Sequence, residues 1–317
     1  MIVNFASEMK HHSNRVSQSL KSPVVTLGNF DGVHKGHLSL LEELKARAMA
    51  VNGESVVVTF EPHPGVVLGK GNIQLLTDAS EKRDLLEKSG IDHLLTMDFT
   101  ENFASQSACD FIGNTLVDQI GINTLLLGYD NRLGWRAEGD HSVVKDCALK
   151  HNFKVAQSQM LKLNGSTISS SAIRAHLKEG NLQSANSLLG YDYHLKGTVI
   201  GGKRIGRELG FPTANIEPRH GHKLIPGDGV YAVRVVVDGS PLTGMLNIGL
   251  RPTMEGDLGR RSIEVHIFNF NEDIYGENIG IYFAHRLRDE MKFSSLDQLV
   301  RQLVVDREES LRLFGQE

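Results

Sequence analysis

The sequence has little cysteine, no long apolar run and no excess of charge of one sign. Only two of its 317 residues are cysteines, Cys109 and Cys147, and their spacing fits no metal site. So few cysteines in a chain of this length favour a reducing compartment and exclude a disulfide-rich secreted scaffold. No apolar run approaches the roughly 18 residues of a membrane-spanning helix, and the start of the chain lacks the apolar core of a signal peptide. We therefore expect a cytoplasmic protein with no membrane partner.

Basic and acidic residues nearly balance, 34 against 38, which gives a formal net charge of −4. A chain without an overall positive field is not expected to bind nucleic acid, although a local basic pocket for phosphate groups remains possible. Hydrophobic residues make up 40% and charged residues 23% of the sequence. These values are typical of a globular protein and exclude a disordered chain. At roughly 100–200 residues per domain, the length indicates two domains.

The first half of the chain alternates strand-like and helix-like segments. Residues 23–27 and 55–60 are short apolar runs typical of buried strands, and residues 78–88 have a helical pattern. That helix is predicted to begin at Asp78, which stands three residues before Glu81 as in a capping box. Repeated βα units of this size predict a parallel sheet with helices on both faces, a Rossmann-like α/β domain.

The pattern of apolar and polar residues changes near Gly190. Short segments with period-2 alternation follow, separated by Gly and Pro, which predicts an antiparallel barrel or sandwich. An amphipathic stretch at residues 295–313 predicts a closing helix, with Ser295 and Gln298 at capping-box spacing. We therefore predict one domain at residues 1–186 and a second, mainly β, at residues 187–317.

A glycine-rich turn with two histidines, GNFDGVHKGH at residues 28–37, lies between the first strand and the first helix. This is the carboxyl end of a parallel strand, where open α/β sheets bind ligands. Glycine lets the backbone approach a phosphate, and the free N–H groups of a helix start favour an anion. His34 and His37 are three residues apart, so both would lie on one side of the first helical turn and stabilise charge on an attacked phosphorus. Two surface histidines at a helix start are the alternative.

A second glycine-rich segment, GGKRIGRELGFPTAN, occupies residues 201–215. It lacks the Lys-Ser/Thr pair of a Walker A loop, but its backbone N–H groups could still surround a phosphate. Thr213 and Asn215 are two apart, so in an extended segment they point to the same side. Their neutral oxygens suit Mg²⁺, which takes few protein ligands beside nucleotide phosphates. An ordinary hydrogen-bonded turn is the alternative.

Glu264 lies in the alternating segment IEVHIF at residues 263–268, on the same side as His266 and Phe268. A carboxylate on a barrel strand could take the proton from a substrate hydroxyl. The alternative is a glutamate on the solvent-exposed face of the strand.

These motifs resemble a known family. The turn at residues 28–37 is similar to the HxGH signature of nucleotidyltransferases, and with TFEPHP at 59–64 and ISSSAIR at 168–174 it resembles the FAD synthetase branch. The blocks GRELGFPTANI, GVYAVRV, GMLNIGLRPT, SIEVHIFNF and LRDEMKF resemble a riboflavin kinase domain. Across most of its length the chain resembles the prokaryotic bifunctional riboflavin kinase/FAD synthetases. The resemblance implies a six-stranded Greek-key barrel, phosphorylation of riboflavin to FMN, adenylylation of FMN to FAD, ATP as the donor and a need for Mg²⁺.

The resemblance also implies roles for individual residues. Glu264 would be the kinase base, His34 and His37 would be catalytic in adenylyl transfer, and Thr213 and Asn215 would bind the metal and nucleotide. The further nucleotide-binding positions are Gly28, Asn29, Phe30, Asp31, Gly32, Gly36, Ser170, Ser171, Arg174, Gly201, Gly206, Arg207 and Gly210. The flavin-binding positions are Asp130, Asn247, Arg251 and Arg288.

One segment departs from the family pattern. In GYDNRLGWRAEGD at residues 128–140, Asn131 and Leu133 replace two aromatic residues, and Ala137 stands where the family has arginine. A working kinase with a weakened adenylyltransferase half is therefore one alternative. Two others are an HxGH enzyme with a different acceptor and a nucleotide- or flavin-binding regulator without turnover. The kinase-like blocks disfavour the former, and Glu264 with Thr213 and Asn215 disfavours the latter.

Overall fold

The computed structural model describes residues 9–69, 71, 73–129, 141–163, 166–201, 206, 209–250 and 261–316. The chain divides into two compact units, Met1–Ser169 and Ser170–Glu317. Among the described residues, no helix combines the length and apolarity needed to cross a membrane.

The first unit is built around a parallel sheet. Its strands are β1 (Lys10–Ser13), β2 (Val24–Leu27), β3 (Ser55–Glu61), β4 (His93–Asp98), β5 (Thr124–Leu127) and β6 (Lys154–Gln157), in the order β1-β4-β3-β2-β5-β6. Its helices are α1 (Lys35–Ala50), α2 (Pro64–Val67), α3 (Ala79–Lys88), α4 (Glu101–Ala104), α5 (Ala108–Phe111), a π-helix (Ile112–Ile120) and α6 (His141–His151). A short ribbon of β7 (Lys162–Leu163) and β8 (Ser166–Thr167) follows. All pairings within the six-stranded sheet are parallel.

Both faces of this sheet are buried. Val25 and Val58 belong to a core cluster shared with α5, the π-helix and α6, while Val24 and Val57 belong to a cluster shared with α1 and α3. Successive residues of a strand point to opposite faces, so a continuous apolar strand needs helices on both sides. This arrangement confirms the predicted Rossmann-like layout.

The helix ends follow local chemistry. Asp78 and Glu81 form the predicted capping box at the start of α3, with both reciprocal hydrogen bonds present. Cys109 and Cys147 join α5 to α6 as a disulfide with a Cα–Cα distance of 5.7 Å. The sequence did not indicate this pairing, because a spacing of 38 residues reveals no contact until the helices pack.

The edges of the sheet are polar. At one edge, β1 (KHHS) pairs with β4 from Lys10 opposite His93 to Ser13 opposite Thr96. His12 Nε2 lies 3.0 Å from His93 Nδ1. At the other edge, β6 begins at the exposed Lys154. Side-chain hydrogen bonds therefore hold an edge strand that has no apolar residue of its own.

The second unit is an antiparallel barrel preceded by two helices. It contains α7 (Ser170–Lys178), α8 (Leu182–Leu189), β9 (His194–Ile200), β10 (Ala214–Pro218), β11 (Gly229–Val237), β12 (Ser240–Leu250), β13 (Arg261–Ile267), β14 (Asn278–Arg288) and α9 (Leu296–Leu313). The strands close in the order β10-β13-β12-β11-β14-β9. The hairpin strands β11 to β13 with β14 beside β11 make a Greek key, which confirms the predicted six-stranded barrel.

The start of α9 differs in one detail from the prediction. The Ser295 side chain accepts a hydrogen bond from the Gln298 N–H at 3.3 Å, as expected of an N-cap. The Gln298 side chain, however, accepts from the N–H of Ser294 rather than from that of Ser295. The extended backbone at Ser295 therefore forms a cap whose second arm is shifted by one residue.

Candidate active sites

The turn at residues 28–34 lies where the strand order of the parallel sheet reverses. It connects β2 to α1, and β2 is flanked by β3 on one side and β5 on the other. The end of β3 lies beside this turn, because the Thr59 hydroxyl donates a hydrogen bond to the Asn29 carbonyl at 3.4 Å. Ligands of open α/β sheets bind at such reversal points, so the predicted glycine-rich turn is at the expected place.

The backbone of this turn is strained. Phe30 and Val33 have φ angles of 49° and 33°, and Gly32 has 84°. A positive φ is costly for a β-branched residue such as Val33 and is maintained only when its surroundings enforce it. Val33 is 1% exposed, so close packing holds the turn in this shape.

The two predicted catalytic histidines lie together. His34 is the N-cap of α1, and its Nδ1 accepts a hydrogen bond from the His37 N–H at 3.3 Å. Neutral His34 therefore carries its proton on Nε2. The two rings stack with centroids 3.7 Å apart. At Gly36, a Cβ atom would lie 3.2 Å from the His34 ring, so glycine gives the ring its room.

His37 is half-buried and electrically neutral. Burial, followed by repulsion from His34, holds its pKa well below the ordinary value of 6.5. In the part of the chain described, its Nδ1 is buried and has no hydrogen-bond partner. An unsatisfied buried nitrogen is unusual and is typical of a site that a ligand completes.

The lowered pKa of His37 predicts how stability depends on pH. The unfolded histidine binds a proton near pH 6.5, whereas the folded one binds it only at lower pH. The contribution of His37 to the free energy of unfolding is therefore complete above pH 6.5 and is lost as the pH falls below that value. We expect the melting temperature to fall on acidification from pH 7 to 5.5, and to fall less steeply in His37→Leu. Calorimetry on both proteins measures the slopes, and an unchanged slope would contradict the assignment.

The side chains of two residues predicted to bind nucleotide make contacts within the protein instead. The Asp31 carboxylate accepts hydrogen bonds from the N–H groups of Leu76 and Thr77 at 2.9 and 3.0 Å. The Phe30 side chain is 1% exposed and packs in the core beside the His37 ring. The side chains at these two positions are therefore committed to contacts within the protein.

The remaining predicted residues of the adenylyl site lie elsewhere in the chain. Ser170, Ser171 and Arg174 lie in the first two turns of α7. Asp130 and the altered positions Asn131 and Leu133 lie outside the described residues. Their predicted roles remain predictions.

Four of the predicted kinase residues lie in one row across the barrel. Glu264 on β13 is directly opposite Asn215 on β10 and directly opposite Asn247 on β12. Asn247 is opposite Val230, and Val230 is opposite Arg288 on β14. Directly paired residues share a face of the sheet, so this register brings the predicted base, one predicted metal ligand and two predicted flavin-binding residues to the same level.

A cavity of about 320 Å³ lies between this face and α9. Glu264, Asn247 and Arg288 line it from the barrel, and Leu299 and Leu303 line it from α9. Glu264 is therefore half-buried in a covered site, and the alternative of a solvent-exposed strand face is wrong. The closing helix is what converts an ordinary strand face into a pocket.

Arg288 is held by a buried carboxylate. Its Nε and Nη2 donate to Asp306 of α9 at 2.9 and 2.7 Å, and Asp306 is 3% exposed. Gln302 donates to the same carboxylate at 2.9 Å. A bidentate pair of this kind fixes a guanidinium plane, so Arg288 is positioned before any ligand arrives. The sequence did not single out Asp306, because the pattern alone places it within an amphipathic helix.

Thr213 lines the cavity that contains Glu264 and also a second cavity of about 330 Å³, which the loop at residues 270–275 borders.

The predicted glycine and arginine positions of the kinase site have different surroundings. Gly206 lines the cavity that contains Glu264, and a Cβ atom there would lie 2.3 Å from the Phe211 carbonyl oxygen, so only glycine fits this turn. Gly210 has a φ of 80°, and Gly201 has open space around its Cβ position. Arg207 and Arg251 lie outside the described residues.

In the described ranges, no group of three or more His, Cys, Asp or Glu side chains could hold a metal ion. The donor set at Thr213 and Asn215 is instead neutral oxygen beside the Glu264 carboxylate. Hard cations such as Mg²⁺ take such oxygens together with water and phosphate, so these residues fit that ion.

Comparisons with known proteins agree with this division into two sites. Residues 16–172 match the family model described as FAD synthetase, and residues 189–314 match the one described as riboflavin kinase. The bifunctional riboflavin kinase/FMN adenylyltransferase of Escherichia coli K12 is 37% identical over 294 residues, covering 92% of this chain and 93% of that protein. The one from Haemophilus influenzae is 37% identical over 307 residues, covering 96% and 97%.

A solved structure shows the same fold over nearly the full length of the chain. A crystal structure described as a macrolide-efflux protein from Streptococcus pneumoniae superimposes with a TM-score of 0.85 at 31% identity, covering 96% of this chain and 98% of that one. Family models cover most of the chain, and relatives above 30% identity span nearly all of it. The chain belongs to the family of bifunctional riboflavin kinase/FMN adenylyltransferases.

Proposed function

We propose that the barrel transfers the γ-phosphoryl group of ATP to riboflavin with Glu264 as the base, and that the N-terminal domain transfers AMP from ATP to the resulting FMN. The observation that supports the kinase assignment is the row of Asn215, Glu264 and Asn247 at one level of the barrel, where Glu264 and Asn247 line a covered cavity. A steady-state assay with riboflavin and Mg–ATP, in which FMN and FAD are separated by chromatography, tests the whole proposal.

In the kinase step, the ribityl 5′-hydroxyl loses its proton to Glu264 as its oxygen attacks the γ-phosphorus. The bond between that phosphorus and the β–γ bridging oxygen breaks, and ADP leaves. Thr213 and Asn215 would hold Mg²⁺, whose charge offsets that of the ATP phosphates when bound. Since Thr213 lines both barrel cavities, we assign the flavin to the cavity with Glu264 and Arg288 and the nucleotide to the cavity beside the loop at residues 270–275.

In the adenylyl step, an FMN phosphate oxygen attacks the α-phosphorus of ATP and pyrophosphate leaves. The neutral rings of His34 and His37, at the start of α1, would donate hydrogen bonds to the phosphate oxygens as negative charge develops. The helix N-terminus adds its own preference for an anion. ATP as a substrate also supports the proposed cytoplasmic location.

No observation favours a kinase with a weakened adenylyltransferase half. Both family models match, and the segment that motivated this alternative lies outside the described residues. The same assay decides the matter, since a weakened half would leave FMN as the main product.

We also propose that the kinase domain works alone, as residues 187–317 or in the longer form 170–317. The Asn186 side chain donates to the Phe283 carbonyl at 2.9 Å and accepts from the Tyr193 N–H at 2.9 Å. The Leu177 carbonyl accepts from the Gly227 N–H at 2.8 Å. These bonds attach α7 and α8 to the barrel.

Both fragments are expected to phosphorylate riboflavin, and the longer one is expected to melt several degrees higher. The shorter one loses the Asn186 bonds and leaves their partners unsatisfied, at a cost of about 1–3 kcal/mol. Thermal denaturation and FMN formation measure both properties. An inactive longer fragment beside an active full-length chain would show that the domain is not independent.

A further inference from the structure

His266 lies two residues after Glu264 on β13 and therefore on the same face of that strand. It is 8% exposed and lines the same cavity as Glu264 and Thr213. The kinase mechanism above gives it no role, although a buried histidine beside a catalytic carboxylate needs a reason to be there.

The ring of His266 is tied to the loop that carries Thr213. Its Nδ1 lies 2.7 Å from the carbonyl oxygen of Pro212, the residue immediately before Thr213. A carbonyl oxygen only accepts, so Nδ1 carries the proton and donates. Phe211 and Phe268 contact the ring edge-on, with centroids 5.4 and 5.7 Å away, and fix its plane.

A backbone hydrogen bond also closes the loop at its other end. The Phe211 N–H donates to the Gly206 carbonyl at 2.8 Å, which closes the turn before Pro212. Pro212 has no N–H to donate, so its carbonyl is its one backbone hydrogen-bonding group. The bond from His266 therefore joins the strand that carries the proposed base directly to the residue before a proposed metal ligand.

The state of the ring suits this task. Burial is the main cause that lowers the pKa of His266, with a smaller contribution from Arg307, while the bond to Pro212 opposes both. The imidazole is therefore neutral at pH 7. It adds no positive charge beside the site proposed for Mg²⁺.

We propose that His266 is a positioning residue for the kinase reaction: by donating to Pro212 it holds Thr213 at a fixed place relative to Glu264. This inference rests on the proposed role of Thr213 as a ligand of the metal and nucleotide. It predicts that the Nδ1 donor is what matters, and that its loss affects Mg–ATP more than riboflavin.

Three substitutions separate the donor from the ring. His266→Phe keeps an aromatic ring without a donor, and we expect the KM for Mg–ATP to rise about tenfold, which is the value of one lost hydrogen bond. The KM for riboflavin is expected to change less than threefold. His266→Asn places an amide N–H near the former Nδ1 and should restore most of the loss. His266→Gln carries its amide to the Nε2 side, so the Gln variant should behave like the Phe variant. The Gln variant takes the place of the Phe variant in the experiment if the Phe variant does not fold.

A double-mutant cycle links the effect to Thr213. If His266 acts through Thr213, then Thr213→Ala with His266→Phe should be no worse than Thr213→Ala alone. FAD formation from supplied FMN is the internal control for intact protein. An unchanged KM for Mg–ATP in both the Phe and Gln variants, an additive double mutant, or an Asn variant as impaired as the Phe variant would each overturn the inference. A Thr213→Ala protein with normal Mg–ATP kinetics would instead show that the proposed role of Thr213 is wrong.

Discussion

Replacing Glu264 with glutamine is expected to lower the rate of FMN formation by about 10²–10⁴-fold, the contribution of a general base. Glutamine has nearly the same shape, and it would occupy the same position between Asn215 and Asn247 on the two neighbouring strands. It cannot accept the proton of the ribityl hydroxyl. FAD formation from supplied FMN is expected to continue at the wild-type rate, because the base and the histidine site belong to different domains.

A matched control for this substitution lies on β10, the strand paired with β13. Glu217 of β10 is exposed and lines neither barrel cavity, so Glu217→Gln alters the charge equally and should leave both activities intact. Separate assays for FMN and FAD on the three proteins measure the effect. FMN formation at near wild-type rate in Glu264→Gln would show that another group takes the proton.

The second large effect is expected from His37→Ala. Loss of a preorganised donor to a developing phosphoryl charge costs about 10²–10³-fold, so FAD synthesis should fall by that factor while FMN accumulates. The ring removed is the one that stacks on His34 at 3.7 Å and contacts Phe30.

His11→Ala is the control for this substitution. His11 is an exposed histidine on the edge strand of the same unit, bonded to Thr96 at 3.0 Å, and its loss should leave FAD synthesis unchanged. Time courses with riboflavin and Mg–ATP follow both products. Equal loss of FMN and FAD formation in His37→Ala would point to misfolding rather than to a catalytic role.

The local patterns of the sequence predicted much of the architecture. Alternation and capping residues depend only on neighbours in the chain, so the capping box at Asp78 and the parallel sheet could be predicted from them. For the second domain they left a barrel or a sandwich open, and the resemblance to riboflavin kinases indicated the six-stranded barrel. The strand β1 could not, because KHHS contains no apolar residue and is held by partners such as His93 that are distant in sequence. The same reason explains why the disulfide was not foreseen.

The candidate sites were predicted less completely. Alternation placed Glu264 on one face of its strand, but only α9 decides that this face is covered. His266 and Asp306 are identified by what they bond to, and no spacing in the sequence reveals a bond to Pro212 or to Arg288. Asp31 is predicted to bind nucleotide, but its carboxylate accepts hydrogen bonds from the backbone N–H groups of residues 76 and 77 instead.

The six-stranded parallel sheet has two edge strands, whereas the closed barrel has none. The barrel is closed, so none of its strands has an outer side on which another chain can add. The parallel sheet ends at β1 and β6, each only four residues long and each beginning with an exposed lysine. Short, charged edges of this kind discourage intermolecular strand pairing. Self-association of partly unfolded protein should therefore begin in the N-terminal domain, and Lys10 and Lys154 are the side chains that oppose it.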